Sequence, residues 1–166
     1  AGEEEIEKQY NFTIKQIPSY SVVSVRHVVP NYYCEGLLWK ELSGFCQTHE
    51  VAISTEGPNF AIYHDAEYKE ENVDIEVCTV VDRLGEGKGP VVFRETEAVE
   101  LMACNMIYGP FENIRGGYLS LAQWLSEHRT YQMEGASRQI CHRGPWNETE
   151  PENYLTELQI PLKKQK

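Results

Sequence analysis

Short apolar-rich stretches predict six strands, and two longer stretches with apolar residues at helical spacing predict two helices. A period of two is typical of strands, whereas spacings of three and four residues are typical of an amphipathic helix. Asn113 is expected to cap the second helix. Gly116 and Gly117 weaken the first turn, however, and indicate a later start as the alternative. The predicted strands are 21–29, 59–65, 73–81, 97–107, 137–142 and 154–162, and the predicted helices lie within 34–50 and 116–129.

The last predicted strand carries a carboxylate, Glu157, between apolar neighbours. Moving an ionised carboxylate out of water costs several kcal/mol or more unless it is paired. Glu157 therefore either faces bulk solvent or needs a positive partner. If Thr156, Leu158 and Ile160 pack under the helices, Glu157 lies on the opposite face of the sheet.

The two halves of the chain repeat one another at nearly constant offsets, and each half has the order strand, helix, strand, strand. This order predicts an α+β fold. We expect a tandem βαββ repeat with pseudo-twofold symmetry, antiparallel sheets with helices on one face, and a ligand cleft between the two modules. The matched pairs include His64 with His142, Glu76 with Glu157, Leu42 with Leu121, and His49 with His128.

The repeat also predicts where the modules begin and end. Module one covers about 12–82 and module two about 92–163, and the glycine-rich segment 83–93 is expected to be a turn that leads into the second module. The charged start, 1–9, is interpreted as a linker or helix remnant, and 164–166 as a tail.

Composition excludes several classes of protein. The net charge is -11 and the basic residues form no cluster, so direct binding of DNA phosphates is not expected. No apolar run approaches the roughly 20 residues of a membrane span, and a cytoplasmic location is expected. The five cysteines are scattered and never form a C-x-x-C pair, and the repeat accounts for four of the five histidines. We therefore expect no disulfide framework, no metal and no cofactor.

Several motifs together resemble a known family. These are "YNFTIKQIPSYSVVSVRHVVPNY", "LLWKEL", "FAIYHDAEYKEENVDIEV", "YGPFENI", "LAQWL" and "PENYLTELQIPL". They resemble the GyrI-like small-molecule-binding domain over about 10–163, and are most similar to the effector-binding domains of MerR-type and AraC-type bacterial transcription regulators.

The resemblance implies an aromatic-lined cleft that binds amphipathic, often cationic, aromatic compounds, with a glutamate on the last strand at its bottom. Glu157 matches that glutamate, and Glu76 occupies the pseudo-symmetric position. We expect burial to raise the pKa of Glu157, which would lack a resident counter-ion until a ligand cation pairs with it. The aromatic residues expected to bind the ligand are Tyr63, Tyr68, Tyr108, Trp146 and Tyr154.

The leading hypothesis is a multidrug-sensing effector domain, which would reach DNA only through a separate domain and would not contact a membrane. One alternative, implied by stand-alone relatives, is a hydrolase of cyclopropane-containing electrophiles with Glu157 as general base. Another is an inhibitory protein that binds a macromolecule such as gyrase. The oligomeric state stays open, with a homodimer among the alternatives, as does the question whether this chain is part of a longer regulator.

Overall fold

The computed structural model describes residues 12–66 and 69–165, which form nine strands and two helices. The segment 1–9 and Tyr68 lie outside the described residues. The strands are β1 (Thr13–Ile17), β2 (Ser21–Val29), β3 (Asn59–Tyr63), β4 (Val73–Val80), β5 (Val91–Glu95), β6 (Val99–Tyr108), β7 (Tyr131–Met133), β8 (Ser137–Arg143) and β9 (Leu155–Lys164). The helices are α1 (Glu35–Thr48) and α2 (Ile114–Glu127), with short 3-10 turns at Tyr32–Cys34, Phe111–Asn113 and Pro151–Asn153.

The chain divides into two compact units. The first unit is Pro18–Ala98, and the second unit comprises the described residues of 12–17 and 99–165. The prediction that 83–93 is only a turn into the second module was wrong, because β5 begins at Val91 and pairs with β2 of the first unit. Conversely, β1 pairs with β6 of the second unit although it precedes the first unit in sequence.

The first unit is an antiparallel sheet with α1 on one face. Its strand order is β3–β4–β2–β5. The helix buries Leu38 and Leu42 against apolar side chains from alternate positions of the central strands, as a period of two requires. The side chains under the helix are Val23, Val25 and Val29 from β2 and Val73, Ile75 and Val77 from β4.

The second unit has the same plan. Its strand order is β1–β6–β9–β8, and the short β7 pairs with the end of β9. Leu121 of α2 packs with Leu158 and Ile160, so the prediction that these alternate residues of the last strand lie under a helix is confirmed. Their neighbour Glu157 therefore belongs to the opposite face.

The start of α2 differs from expectation. The helix begins at Ile114, before the two glycines that were expected to delay it. Asn113 precedes the helix but makes no side-chain capping bond, because its Nδ2 donates to the Tyr108 carbonyl at 3.0 Å. Gly117 is buried against β6, where an added Cβ would lie 2.5 Å from Ile107 Cδ1. The absence of a side chain at 117 therefore lets the helix approach the sheet closely.

Candidate ligand-binding site

Glu157 lies in the middle of β9 and is held by three side chains of the second unit. Lys15, on the edge strand β1, places its Nζ 3.1 Å from Oε2. His142 of β8 places its Nε2 3.0 Å from Oε1, and Gln159 Nε2 donates to Oε2 at 2.7 Å. Because an ionised carboxylate only accepts hydrogen bonds, His142 is the donor in its pair.

These contacts overturn the expected electrostatics of Glu157. The residue is 5% exposed, which excludes an open position in bulk water. The hydrogen bond from His142 is the largest influence on its pKa; burial opposes it, and Gln159 and Lys15 add to it, so that the pKa falls to about 2. The predictions of a raised pKa and of no resident counter-ion were therefore wrong. Lys15 supplies the counter-ion from a strand that the sequence patterns did not reveal.

An exposed apolar strip lies beside this buried carboxylate. Met106 stands directly opposite Glu157 in the β6–β9 register, and Tyr108 follows two positions along the same strand. Opposite residues of an antiparallel pair share a sheet face, so both side chains are on the face of Glu157. Met106 is 37% exposed and Tyr108 is 53% exposed.

Further aromatic side chains collect where β6 ends and β9 begins. The amide of Gly109 donates to the Tyr154 carbonyl at 2.9 Å, which ties the two segments together. The rings of Phe111 and Tyr154 pack with their centroids 5.1 Å apart. Two predicted ligand-binding residues, Tyr108 and Tyr154, are thus brought to the same end of the sheet, together with Phe111.

The remaining predicted aromatic residues have different surroundings. Trp146 is largely exposed and its ring packs on Gly144, where an added Cβ would come within 2.2 Å of the ring. Tyr63 pairs with Ile75 on the helix-covered face of the first unit, and its hydroxyl donates to the Glu35 carboxylate. It therefore lies on the face opposite Glu76. The contacts of Tyr68 are outside the described part of the chain.

Glu76 occupies the equivalent position in the first unit but is bound more completely. Arg94 of β5 donates from Nε to Oε2 and from a terminal nitrogen to Oε1, both at 2.8 Å. Ser24 Oγ donates at 2.7 Å and His64 Nε2 lies 2.9 Å from Oε1. Burial alone would raise the pKa of Glu76, but the bonds from His64, Arg94 and Ser24 outweigh it and lower the pKa. The residue is 3% exposed.

The strand registers show that the two carboxylate sites are built from equivalent positions. In each unit an edge strand supplies the cation and a central strand the carboxylate. The histidine lies within β8 in the second unit and directly after β3 in the first. The chemistry differs at the remaining positions. A charged pair in the first unit, Arg26 with Asp74 at 2.7 Å, stands where the second unit has Met106 and Leu155. The other matched pairs are Arg94 with Lys15, His64 with His142, and Ser24 with Cys104.

A surface pocket of about 540 Å³ lies elsewhere in the first unit. Phe45 and His49 at the end of α1, the loop around 83–88 and Phe93 line it. Among the described residues, none of those predicted to bind the ligand contributes to its lining. In the described ranges no three His, Cys, Asp or Glu side chains gather as a metal site would require. The two helices of these ranges are also too short or too polar to cross a membrane.

Sequence patterns identified Glu157 and Glu76 but missed most of their partners. The matched histidines were visible in the repeat, although it gave no indication that they bind the carboxylates. Lys15 carried no signal, because its contact with Glu157 spans 142 positions. Met106 was missed because one apolar residue in an apolar strand has nothing to distinguish it from a core residue.

The fold and the paired carboxylate sites define a class of small α+β domain with an antiparallel sheet, one helix per unit and polar residues on the sheet face away from the helix. The profile of GyrI-like small molecule binding domains matches residues 10–163. The chain belongs to this family. A search of curated proteins finds no match.

Solved structures agree with this assignment. EcmrR in its DNA complex is similar at a TM-score of 0.89 and 29% identity, over 99% of this chain and 61% of the EcmrR chain. The crystal structure of the EcmrR C-terminal domain matches at a TM-score of 0.86 and 29% identity, over 94% of this chain and 99% of that domain. This chain therefore spans less than two thirds of EcmrR.

Two more distant structures share the fold alone. A hydrolase encoded by lin2189 from Listeria innocua has a TM-score of 0.63 and 12% identity, over 97% of this chain and 98% of that one. SAV2435 bound to tetraphenylphosphonium has a TM-score of 0.63 and 10% identity, over 92% of this chain and 94% of that one.

Proposed function

We propose that this chain is the effector-binding domain of a bacterial transcription regulator and that its second unit binds an amphipathic aromatic cation. Family membership and the similarity to EcmrR support the regulator role. The observation that carries the ligand assignment is a buried carboxylate, Glu157, whose partners Lys15 and His142 are partly exposed and whose neighbours Met106 and Tyr108 form an exposed apolar strip.

The chemistry of this face suits a hydrophobic cation. Glu157 offers a negative charge at a place largely shielded from bulk water, where electrostatic attraction is stronger than at an open surface. The ring face of Tyr108 can add a cation–π attraction of about 0.5 to 2 kcal/mol. Tetraphenylphosphonium, the compound bound to SAV2435, is a ligand of this type.

The proposed ligand contacts are Glu157 and Tyr108. Tyr154 precedes β9 at a position that alternates with Glu157, so its role in ligand binding stays a prediction, as does that of Trp146. Glu76 and Tyr63 are each hydrogen-bonded to side chains of the first unit. Their roles in ligand binding stay predictions, as does that of Tyr68. DNA contact is proposed to come from a part of the regulator outside this chain, because a net charge of -11 opposes binding to phosphates.

The hydrolase alternative has less support at Glu157. A general base works best when its pKa is near the working pH, whereas the pKa of Glu157 is about 2. The hydrolase from Listeria innocua is only 12% identical and shares the fold alone. Binding without turnover is therefore the function that this site supports better.

The test is calorimetric titration of the chain with tetraphenylphosphonium and with triphenylphosphine oxide, a neutral aromatic compound of similar shape. The wild type is expected to bind the cation and to discriminate against the neutral compound. Glu157→Gln is expected to weaken binding of the cation about tenfold or more, by analogy with the loss of one partner of a buried charge pair. Equal affinity of wild type and Glu157→Gln would remove this carboxylate from the proposed site.

A further inference from the structure

We propose that Lys15 occupies the place of the ligand's cation at Glu157 and that a ligand binds by displacing its ammonium group. Lys15 would then determine which ligands the site accepts. This inference rests on the proposed function, since it concerns ligand binding at the same carboxylate.

The geometry of the ion pair makes Lys15 exchangeable. Its ammonium group meets the carboxylate of Glu157 with Nζ 3.1 Å from Oε2. The Lys15 side chain is 45% exposed while that of Glu157 is 6% exposed, so the ammonium group forms the solvent side of the pair. An exposed ammonium on a flexible stem stays hydrated when it turns into water, whereas the carboxylate stays in place on the central strand and needs another cation in its place.

The first unit supplies the contrast within the same molecule. At the position equivalent to Lys15, Arg94 binds Glu76 with two parallel bonds of 2.8 Å, and its side chain is only 28% exposed. A planar guanidinium in this two-point geometry is harder to displace than a lysine ammonium. Of the two carboxylates, only Glu157, whose cation is a lysine, is thus open to a competing cation.

Displacement of Lys15 has a consequence for specificity. A cationic ligand replaces one positive charge with another, so that Glu157 stays compensated throughout. A neutral ligand that moved Lys15 aside would leave Glu157 buried and less fully paired, which is strongly unfavourable. The site therefore rejects neutral aromatic compounds through the same residue that keeps it stable when empty.

The first experiment compares the affinity of tetraphenylphosphonium for wild type and Lys15→Met. Removal of the competing ammonium is expected to raise affinity about fivefold, equivalent to about 1 kcal/mol. A gain of similar size is expected for triphenylphosphine oxide, because its binding no longer has to break the Lys15–Glu157 pair either. Lys163→Met is the matched control, because Lys163 is on β9 of the same unit, is 47% exposed and lies 4.0 Å from the Glu134 carboxylate.

The outcomes separate this inference from the proposed function. Equal or weaker binding of the cation by Lys15→Met, with Glu157→Gln still weakening it, overturns the role of Lys15 and leaves the ligand site intact. If neither wild type nor Lys15→Met binds tetraphenylphosphonium, the proposed function fails and this inference with it.

A second measurement uses the wild-type chain and does not depend on the folding of a variant. Lys15 is acetylated with an N-hydroxysuccinimide ester, and peptide mass spectrometry follows the rate with and without saturating tetraphenylphosphonium. Release from Glu157 is expected to speed acetylation of Lys15 about twofold or more relative to Lys163, because the freed amine is more accessible and less stabilised as a cation. An unchanged or slower rate at Lys15 would contradict displacement.

Discussion

The two units place a buried glutamate, a histidine and a cationic side chain at equivalent positions. They differ in which cation is used and in the side chains beside it. In the first unit Glu76 is bound by a two-point contact from Arg94, and the neighbouring positions carry the ion pair of Arg26 and Asp74. In the second unit the Lys15 ammonium lies 3.1 Å from Glu157, and Met106 replaces the arginine beside it.

This difference separates a structural carboxylate from one that is suited to a ligand. Both glutamates are buried, and hydrogen bonds lower the pKa of each. Burial and a shifted pKa therefore do not by themselves distinguish the two sites. What distinguishes them is how firmly the counter-ion is held and whether exposed apolar surface lies alongside.

The largest expected effect is on stability, and it falls on the first unit. Glu76→Gln removes the two-point carboxylate partner of the partly buried Arg94, which otherwise lies 3.6 Å from the exposed Glu97, and we expect a loss of about 3 to 5 kcal/mol in the free energy of unfolding. Glu157→Gln should cost less, about 2 to 3 kcal/mol, because Lys15 and His142 are partly exposed and can turn toward water. Urea denaturation of both variants measures the two values, and a larger loss for Glu157→Gln would contradict the comparison.

The next effect is the pH dependence of stability. The pKa of Glu157 is about 2, below its ordinary value of 4.5, so its contribution is present above pH 4.5 and is lost as the pH falls toward 2. The contribution at neutral pH is on the order of 3 kcal/mol. Because the pKa of Glu76 is lowered too, the chain should lose stability in acid at both sites.

Urea unfolding between pH 7 and pH 3 tests this expectation. Glu157→Gln should lose less stability than wild type over this interval, whereas Glu134→Gln, at an exposed ion pair, should follow wild type. Parallel curves for wild type and Glu157→Gln would show that the charge of Glu157 does not stabilise the fold.

A smaller effect is expected when the second unit is given the side chains of the first. Met106→Arg combined with Leu155→Asp recreates the pair of Arg26 and Asp74 beside Glu157. The added arginine covers the apolar strip and brings a second cation to the carboxylate, so affinity for tetraphenylphosphonium should fall about tenfold, or about 1.4 kcal/mol. Calorimetry gives the affinity and thermal melting gives the stability. Unchanged affinity in a folded double variant would show that the strip is not part of the site.

The sequence predicted the central elements of the fold because their patterns are strong. The strands β2, β4 and β9 alternate under helices whose apolar stripes are continuous, and the predicted position of β2 is the observed one, Ser21–Val29. The strands β1, β5 and β7 were missed because they have three to five residues and carry few buried side chains. Short strands of this kind depend on their partners rather than on their own pattern.

The sequence predicted which carboxylates lie at the candidate site. It did not predict their partners or the direction in which the pKa of Glu157 is shifted. Repetition of the halves singled out Glu76 and Glu157, and the matched histidines were part of the same signal. The pKa of Glu157 was predicted in the wrong direction because the hydrogen bond from His142, the largest influence, was not recognised, nor were those from Gln159 and Lys15. Lys15 lies on β1, a strand whose partner in the sheet is far away in sequence. A contact between residues so far apart in the chain produces no local sequence pattern.

The most direct test of the central claim is to follow both carboxylates during one titration. Carbon NMR of chain labelled at the glutamate side-chain carboxyl, with the signals assigned from Glu157→Gln and Glu76→Gln, reports each site separately. On addition of tetraphenylphosphonium the signal of Glu157 should shift saturably while that of Glu76 stays in place. A saturable shift at Glu76, or binding that leaves the Glu157 signal unmoved, would contradict the account.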